Sequence, residues 1–447
     1  MDPSATREQW RSNTSFVLVT IGSAAGLGNI WRFSYVAGEN GGAAFLLAYL
    51  LCVLVLGVPL VLAEFSVGRS ARSDVVAAYA GGKSDLSWAA AGWLAATAAF
   101  VLLSYYAVVA GWAYKYFVSY LIGTMSQLGR GDYEAYFDAF IARPHDAVLW
   151  QFLVVVSTVG VVVAGVERGI EAMNKVLMPM LAAILLLLAG YSLSLKGSAA
   201  GLAFLFDPDW SALKRPPVYL AALGQAFFSL GIGVGALLTY GSYAPSKTRL
   251  GPAVLAVAGG DTLFAIVAGV VIFPAVFAFG LDPAQGPMLA FVTLPEVFKL
   301  MPGGPLFAIA FFLLLSLAAL TSAVSLLEVP SAVLIRRLNW SRSKCTIVVG
   351  AAVFAAGIPS ALSYGVLSDV RPFGLGILEA IDLIASNLLL PAGGFLIAIF
   401  VGWAWTKDQA FESAALRTPW IARTWRFLLR YVAPWLILLT LAGLIRP

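Results

Sequence analysis

The chain is 447 residues long, 60% hydrophobic and only 11% charged, with a mean hydropathy of +0.88. That is more apolar surface than a water-soluble core of this length buries, so the chain is a polytopic membrane protein. The net charge of +5 and the isoelectric point of about 9.1 exclude nothing but an acidic protein, and they do not indicate nucleic acid, because the basic residues sit in short segments between apolar runs.

In chain order, apolar runs of about twenty residues or more predict helices near 16–38, 42–68, 89–123, 147–165, 169–195, 218–243, 253–280, 305–335, 344–364, 374–405 and 427–445. The polar opening, Met1 to Ser15, leads into a span too long for a cleaved signal, which predicts a cytoplasmic N-terminus. Basic residues such as Arg69, Arg72, Lys247, Arg249, Arg336 and Arg342 then fall in cytoplasmic connections, where they are in excess. An odd count of spans puts the C-terminus outside. The segment 124–146, with Asp132, Glu134, Asp138 and Asp146, reads as a solvated outer loop. The connection after the seventh span carries Gly286-Pro287, Leu294-Pro295-Glu296 and Pro302-Gly303-Gly304-Pro305, and is expected to fold as short lid-like helices. Cys52, Cys345 and the single histidine, His145, form no disulfide framework or metal spacing.

Two of these spans carry glycine-rich interruptions: Gly22-Ser23-Ala24-Ala25-Gly26-Leu27-Gly28-Asn29 in the first and Ser229-Leu230-Gly231-Ile232-Gly233-Val234-Gly235 in the sixth. A bilayer core offers no water to freed N–H and C=O groups, so broken backbone at that depth must meet protein, a cavity or a ligand. One break in each half points to a transporter's central binding site. The order of elements predicts an all-α protein of about eleven spans with an inverted five-plus-five repeat, the repeats at 1–195 and 218–405 and an additional helix at 427–445. Charges within the spans, at Arg32, Glu39, Glu64, Asp261, Glu328, Glu379 and Asp382, are a second pointer, since a charge at the bilayer centre costs about 2.5–3.5 kcal/mol on insertion scales.

The segments Arg7-Glu8-Gln9-Trp10, Gly22 through Asn29-Ile30-Trp31-Arg32-Phe33, and Glu39-Asn40-Gly41-Gly42 resemble the opening of the neurotransmitter:sodium symporter family. The resemblance continues through Gly57-Val58-Pro59 with Glu64, Tyr105-Tyr106, Gly224 to Gly231, and Ala318-Ala319-Leu320-Thr321-Ser322, and is strongest to the bacterial amino-acid-transporting branch. It implies a leucine-transporter fold in a bacterial cytoplasmic membrane, and sodium-coupled symport of an amino acid by alternating access, without catalysis. An amino-acid sensor or a channel on the same scaffold is the alternative. The implied partners are the amino acid and membrane lipid; no nucleic acid and no particular oligomer are implied. An intramembrane protease is excluded, because Ala258-Gly259-Gly260-Asp261 lacks the first glycine of such a motif and has no partner motif.

A hard cation such as Na⁺ needs oxygen ligands, and the resemblance implies two cages. The first comprises the Ala24 carbonyl, Asn29, Ser229 and Asp261, completed by the substrate carboxylate. The second comprises the carbonyls of Gly22, Ala25 and Ala318 with the hydroxyls of Thr321 and Ser322, although such hydroxyls also commonly bond back to their own helix. Asp261 stands where chloride-dependent relatives have Asn, and Ala265 where they have Ser, which implies that no chloride is required. Gly26 leaves room for a substrate carboxylate, held by Gly28 and the Tyr106 hydroxyl. Leu102, Phe228, Gly231, Val234, Ala323 and Leu326 would form an uncharged side-chain pocket. The resemblance further implies an outer gate of Arg32 and Asp382 with Phe228 and Tyr106 as lid, and an inner gate of Arg7, Trp10 and Tyr243. The acidic partner of that inner gate is replaced by Arg336, so another carboxylate must substitute. Glu64 is expected to brace the first broken helix, and the pair Gly169 and Pro179 to permit unwinding of the fifth.

Overall fold

A computed structural model describes residues 8–81, 86–416 and 418–443. The described residues form helices and turns without a strand. The first span is divided into α1 (Asn13–Ala24) and α2 (Gly28–Glu39), which meet at 50°. Then follow α3 (Ala43–Ala71), α4 (Leu86–Leu121), α5 (Pro144–Val163) and α6 (Val166–Leu193). The sixth span is again divided, into α7 (Pro216–Leu230) and α8 (Ala236–Ser242). The remaining spans are α9 (Leu250–Ala278), α10 (Gly304–Leu338), α11 (Arg342–Ala361), α12 (Ile377–Ala404) and α13, which covers 419–443. Because five crossings is an odd number, the second set of five begins on the opposite side of the membrane from the first, which is the predicted inversion.

Among the described residues, eight unbroken helices are long and apolar enough to cross a bilayer, and the bent α1/α2 pair makes a ninth. The other two predicted spans fall outside that set for visible reasons: α7/α8 is cut by its glycines, and α13 carries Arg423, Arg426 and Arg430 in its first turns. α13 also starts earlier than predicted, at Pro419, whose missing N–H is free of cost in a first helical turn.

The divided helices occupy the centre. α1 packs on α9 and α10, α8 on the second half of α3, and α7 on its first half, while α4 lies along α10. Two connections differ from expectation. The segment 124–146 is not simply solvated: Asp132–Ala142 is a helix whose Tyr133, Phe137, Phe140 and Ile141 are buried, with Phe137 stacked on Phe291 at 5.7 Å. An unpredicted helix, Ser198–Phe206, packs against α9, with Gly201 so close to the Phe273 carbonyl that a Cβ would lie 2.5 Å from its oxygen. The expected short helices after the seventh span are present at Gly286–Leu289 and Thr293–Leu300.

The α3–α8 crossing admits no side chain at Gly68, where a Cβ would stand 2.0 Å from the Leu238 carbonyl oxygen. Gly68→Ala is therefore expected to lower stability by about 1–3 kcal/mol through overpacking. Gly224→Ala, in open space within α7, should be neutral or gain up to about 1 kcal/mol. Thermal unfolding of the two purified variants in detergent checks the difference.

Candidate functional site

The first break is a three-residue turn. Ala25 adopts φ −71° and ψ 68°, and the Gly26 N–H turns back to the Ala24 carbonyl at 2.7 Å. In a continuous helix that N–H would bond to the Gly22 carbonyl, which is thereby released from its helical partner. A Cβ at position 26 would lie 2.0 Å from Ser322 Oγ on α10, so a larger residue there would have to displace that hydroxyl. Gly22 is equally crowded, by Asn174 of α6.

The second break places Gly231, Gly233 and Gly235 at φ +64°, +91° and +73°. Alternating left-handed residues cannot propagate a helix, and only glycine adopts them without a Cβ penalty. Glu64, buried on α3, accepts hydrogen bonds from the N–H groups of Gly233 (2.8 Å) and Leu238 (3.3 Å). This corrects the expectation that Glu64 braces the first broken helix: α3 packs its second half on α8, so the carboxyl faces the second break.

Asn29, Ser229 and Asp261 meet between the two breaks, all of them buried. The Asn29 amide donates to Asp261 Oδ1 at 2.7 Å, to the Asp261 carbonyl at 3.0 Å and to Ser229 Oγ at 3.1 Å. Ser229 donates to Asp261 Oδ2 at 2.8 Å, and the Gly26 N–H donates to Asn29 Oδ1 at 3.2 Å. Tyr49, which sequence reasoning missed, donates to Asp261 Oδ2 at 3.3 Å. This donor set is hard oxygen throughout, and among the described residues no cluster of three His, Cys, Asp or Glu could hold a metal; the chemistry suits an alkali cation.

Across the first break from this cluster, Thr321 and Ser322 of α10 face α1. Ser322 donates to the Ser23 carbonyl at 3.0 Å, and Thr321 bonds back to the Ala318 carbonyl at 2.9 Å. Both hydroxyls keep lone pairs for a cation while donating their protons. Thr321, Ser322 and the Ala318 carbonyl thus lie on the α10 side of the first break, with the Ala318 oxygen 3.4 Å from where a Gly26 Cβ would be.

A chamber of about 40 Å³ separates the breaks, lined by Ala24, Gly28, Leu102, Tyr106, Phe228, Ser229, Gly231, Val234 and Leu326, together with Ser325, which the sequence did not single out. Ala323 and Gly26 do not line it. None of the lining side chains is charged. The Tyr106 hydroxyl is buried and makes no hydrogen bond to the protein.

Above it, Arg32 and Asp382 do not form a direct ion pair. Arg32 stacks over Phe228 at 4.7 Å and donates to Gln225 Oε1 at 2.9 Å, while Gln225 donates to the Gly28 carbonyl at 3.1 Å. Asp382 accepts from Tyr105 (2.6 Å) and Ser386 (2.7 Å). At the other end Trp10 donates through its ring to the Tyr240 carbonyl and through its backbone to that of Tyr243, each at 3.0 Å. Arg7 lies outside the described residues. Two carboxylates gather at this end around Arg342: it donates to Glu328 at 2.7 and 2.9 Å and also pairs with Glu8, and Tyr243 donates to Glu328 at 2.6 Å. Arg336 instead pairs with Asp74 at 3.4 Å. The predicted unwinding between Gly169 and Pro179 is not present in this conformation. Gly169 sits in a widened turn, Val166–Glu171, and the helix runs on through Pro179.

The sodium:neurotransmitter symporter family model matches residues 7–127 and 144–446. The chain belongs to this family. It is accordingly a sodium-dependent transporter, like the relatives that follow. It is 39% identical over 442 residues to the sodium-dependent transporter YhdH of Bacillus subtilis, covering 98% of this chain and 97% of that one. It is 34% identical to a sodium-dependent transporter of Methanocaldococcus jannaschii, covering 96% and 88%. Among solved structures, MhsT in complex with L-phenylalanine is 50% identical and superposes with a TM-score of 0.91 over 98% of this chain and 99% of that one. That superposition also establishes the symporter family's fold, with its two unwound helices.

Replacing Glu64 by Leu strands the Gly233 and Leu238 N–H groups, at about 1–3 kcal/mol each. Glu64→Leu is expected to lower the thermal midpoint of the purified protein sharply, and Glu64→Gln, which keeps one acceptor, to recover part of the loss. Equal midpoints for the two variants would contradict the brace.

Proposed function

We propose that this symporter accumulates a neutral, mainly apolar L-amino acid by coupling it to two sodium ions, without need of chloride. The observation that carries the reading is the Asn29–Ser229–Asp261 cluster at the edge of an uncharged chamber between two broken helices. An entering Na⁺ would take oxygen from Asn29, Ser229, Asp261 and the Ala24 carbonyl, with Asn29 turning its amide so that Oδ1 replaces Nδ2. The substrate carboxylate completes that shell, and its remaining oxygen meets the buried Tyr106 hydroxyl and the amides of the first break. The α2 and α8 ends of the unwound segments favour negative charge there. Because ion and carboxylate share a contact, each raises affinity for the other to the same extent. A second Na⁺ held by Gly22, Ala25, Ala318, Thr321 and Ser322 would join α1 to α10.

The substrate class follows from the walls. Leu102, Val234 and Leu326 offer no partner to a charged side chain, and Gly231 adds width. That MhsT is solved with L-phenylalanine supports an apolar substrate here. The buried Asp261 carboxylate supplies the negative charge beside the first ion, which removes the need for a halide. The two repeats, 1–195 and 218–405, would rock about this site, with Arg32 and Asp382 meeting on one side and Trp10, Tyr243 and Arg7 closing the other. The excess of basic residues in the connections at the Trp10 end supports a cytoplasmic position for that end and an external C-terminus, and the bacterial relatives support a cytoplasmic (inner) membrane.

Reconstituted into proteoliposomes, the protein should concentrate a labelled apolar amino acid only under an inward sodium gradient, and replacing chloride by gluconate should leave uptake unchanged. Strongest competition by aspartate or lysine, or loss of uptake in gluconate, would overturn the reading. Asp261→Asn removes one charge-assisted contact of about 1.5–3 kcal/mol, so half-saturation for sodium should rise about tenfold or more. Pro179→Ala, by strengthening the α6 helix, should slow sodium release measured by single-turnover kinetics.

A further inference from the structure

Far from the chamber, α13 begins with three arginines on successive turns, and none of them serves the transport site. Arg423, Arg426 and Arg430, with Lys407 from the short helix Lys407–Ala414, line a crevice of about 270 Å³. No acidic residue lines it, and among the described residues none of these four cations makes an ion pair. Four like charges repel at one crevice, with Asp408 beside Arg426 as a counter-charge outside its lining, and a bound anion would relieve that repulsion.

The hydrogen-bond inventory says where. Arg426 donates one guanidinium arm to the Trp405 carbonyl at 2.9 Å, yet its Nη1 is buried without a partner. Arg430 lies flat over Trp403, 4.0 Å from the ring centroid, and its Nε is likewise buried and unpartnered. A buried donor on a cation left without an acceptor is costly, and here two arginines adjoin the same crevice. Both guanidinium groups line the crevice, and guanidinium geometry is best suited to the oxygens of a phosphate.

The surroundings identify the phosphate's carrier. Phe427, Tyr431 and Trp403 are about half exposed at the rim, Trp435 lies further exposed one turn beyond Tyr431, and the Trp403 ring N–H is tied to the Arg430 carbonyl at 3.2 Å. Exposed aromatic rings beside a helix that runs into an apolar run mark the membrane boundary. The crevice also lies at the Trp10 end of the molecule: Arg69 bonds to the Ser413 carbonyl of the short helix and, at 2.7 Å, to that of Thr248, five residues beyond Tyr243. A soluble anion would gain nothing from the aromatic rim, whereas a phospholipid places its headgroup among the cations and its chains along the rings.

We propose that this crevice is a binding site for the phosphate of an anionic phospholipid, held by Arg426 and Arg430 with Lys407 and Arg423 at its mouth. The site joins the short helix and α13 through one headgroup.

The test uses the full-length protein in nanodiscs and detergent. Native mass spectrometry should find phosphatidylglycerol retained in preference to phosphatidylcholine. Removal of two cations by Arg426→Gln with Arg430→Gln should cut that retention by about tenfold or more, at about fivefold per basic residue near a membrane surface. Arg423→Gln with Lys407→Gln, both on exposed side chains, guards against misfolding of the first pair and should also lower retention. Lys247→Gln with Arg249→Gln, a basic pair elsewhere at the same end, should leave it unchanged. Equal retention of the two lipids, equal loss in the Lys247/Arg249 control, or the same thermal stabilisation by inorganic phosphate or glycerol 3-phosphate as by phosphatidylglycerol would each overturn the proposal.

Discussion

The structure depends on how backbone groups freed inside an apolar slab are matched. Each break withdraws several amides and carbonyls from their helical partners at a depth where water does not replace them. Three devices take them up: the short turn of Gly26 onto Ala24, the Glu64 carboxyl against Gly233 and Leu238, and the side-chain amide of Gln225 on the Gly28 carbonyl. The freed N–H groups are thus met by acceptors of the protein, whereas a carbonyl such as Ala24, with two lone pairs, accepts the Gly26 N–H and still has one left for a cation. This divides the polar groups at the breaks into those that hold the backbone and those that remain open to an ion or the substrate.

This division explains why Asp261 and Glu64, both buried carboxyls, have separate tasks. Glu64 faces only N–H groups and holds a loop. Asp261 faces an amide and two hydroxyls, each of which can rotate away from it when a cation arrives. Side chains with rotatable hydrogens accommodate an ion at little cost, whereas backbone amides do not. The difference between a brace and a ligand lies in the neighbours rather than in the carboxyl.

The parts of the site legible in the sequence were those whose residue type is anomalous for a membrane span. Glycines in clusters, Asn29, Ser229 and Asp261 stand out because an apolar helix has no use for them. Tyr49, Gln225 and Asn174 did not stand out, since single polar residues in long spans are common and only the packing of remote helices brings them to the breaks. Glu64 was recognised as a brace but given to the wrong break, because the sequence does not say which broken helix the second half of α3 crosses. The 132–142 helix carried a readable signal, with Tyr133, Phe137, Phe140 and Ile141 on one helical face, masked by the acidic residues between them. The helix Ser198–Phe206 carried none: it is too short to span, and it is fixed by its contact with α9.

One arrangement at the Trp10 end bears on how cheaply that side can open. Arg342 is shared by two carboxylates of different standing, Glu328 with a fully buried side chain and Glu8 with one that is 39% exposed. If the N-terminal segment swings away as proposed, Glu8 would leave with a charge that water readily solvates, and Arg342 would stay neutralised by both oxygens of Glu328. No lone charge is stranded in the low-dielectric interior at any stage. A conventional one-to-one pair would expose such a charge on every cycle, so the third partner works as a standing counter-ion that keeps the swing of the segment nearly free of electrostatic work.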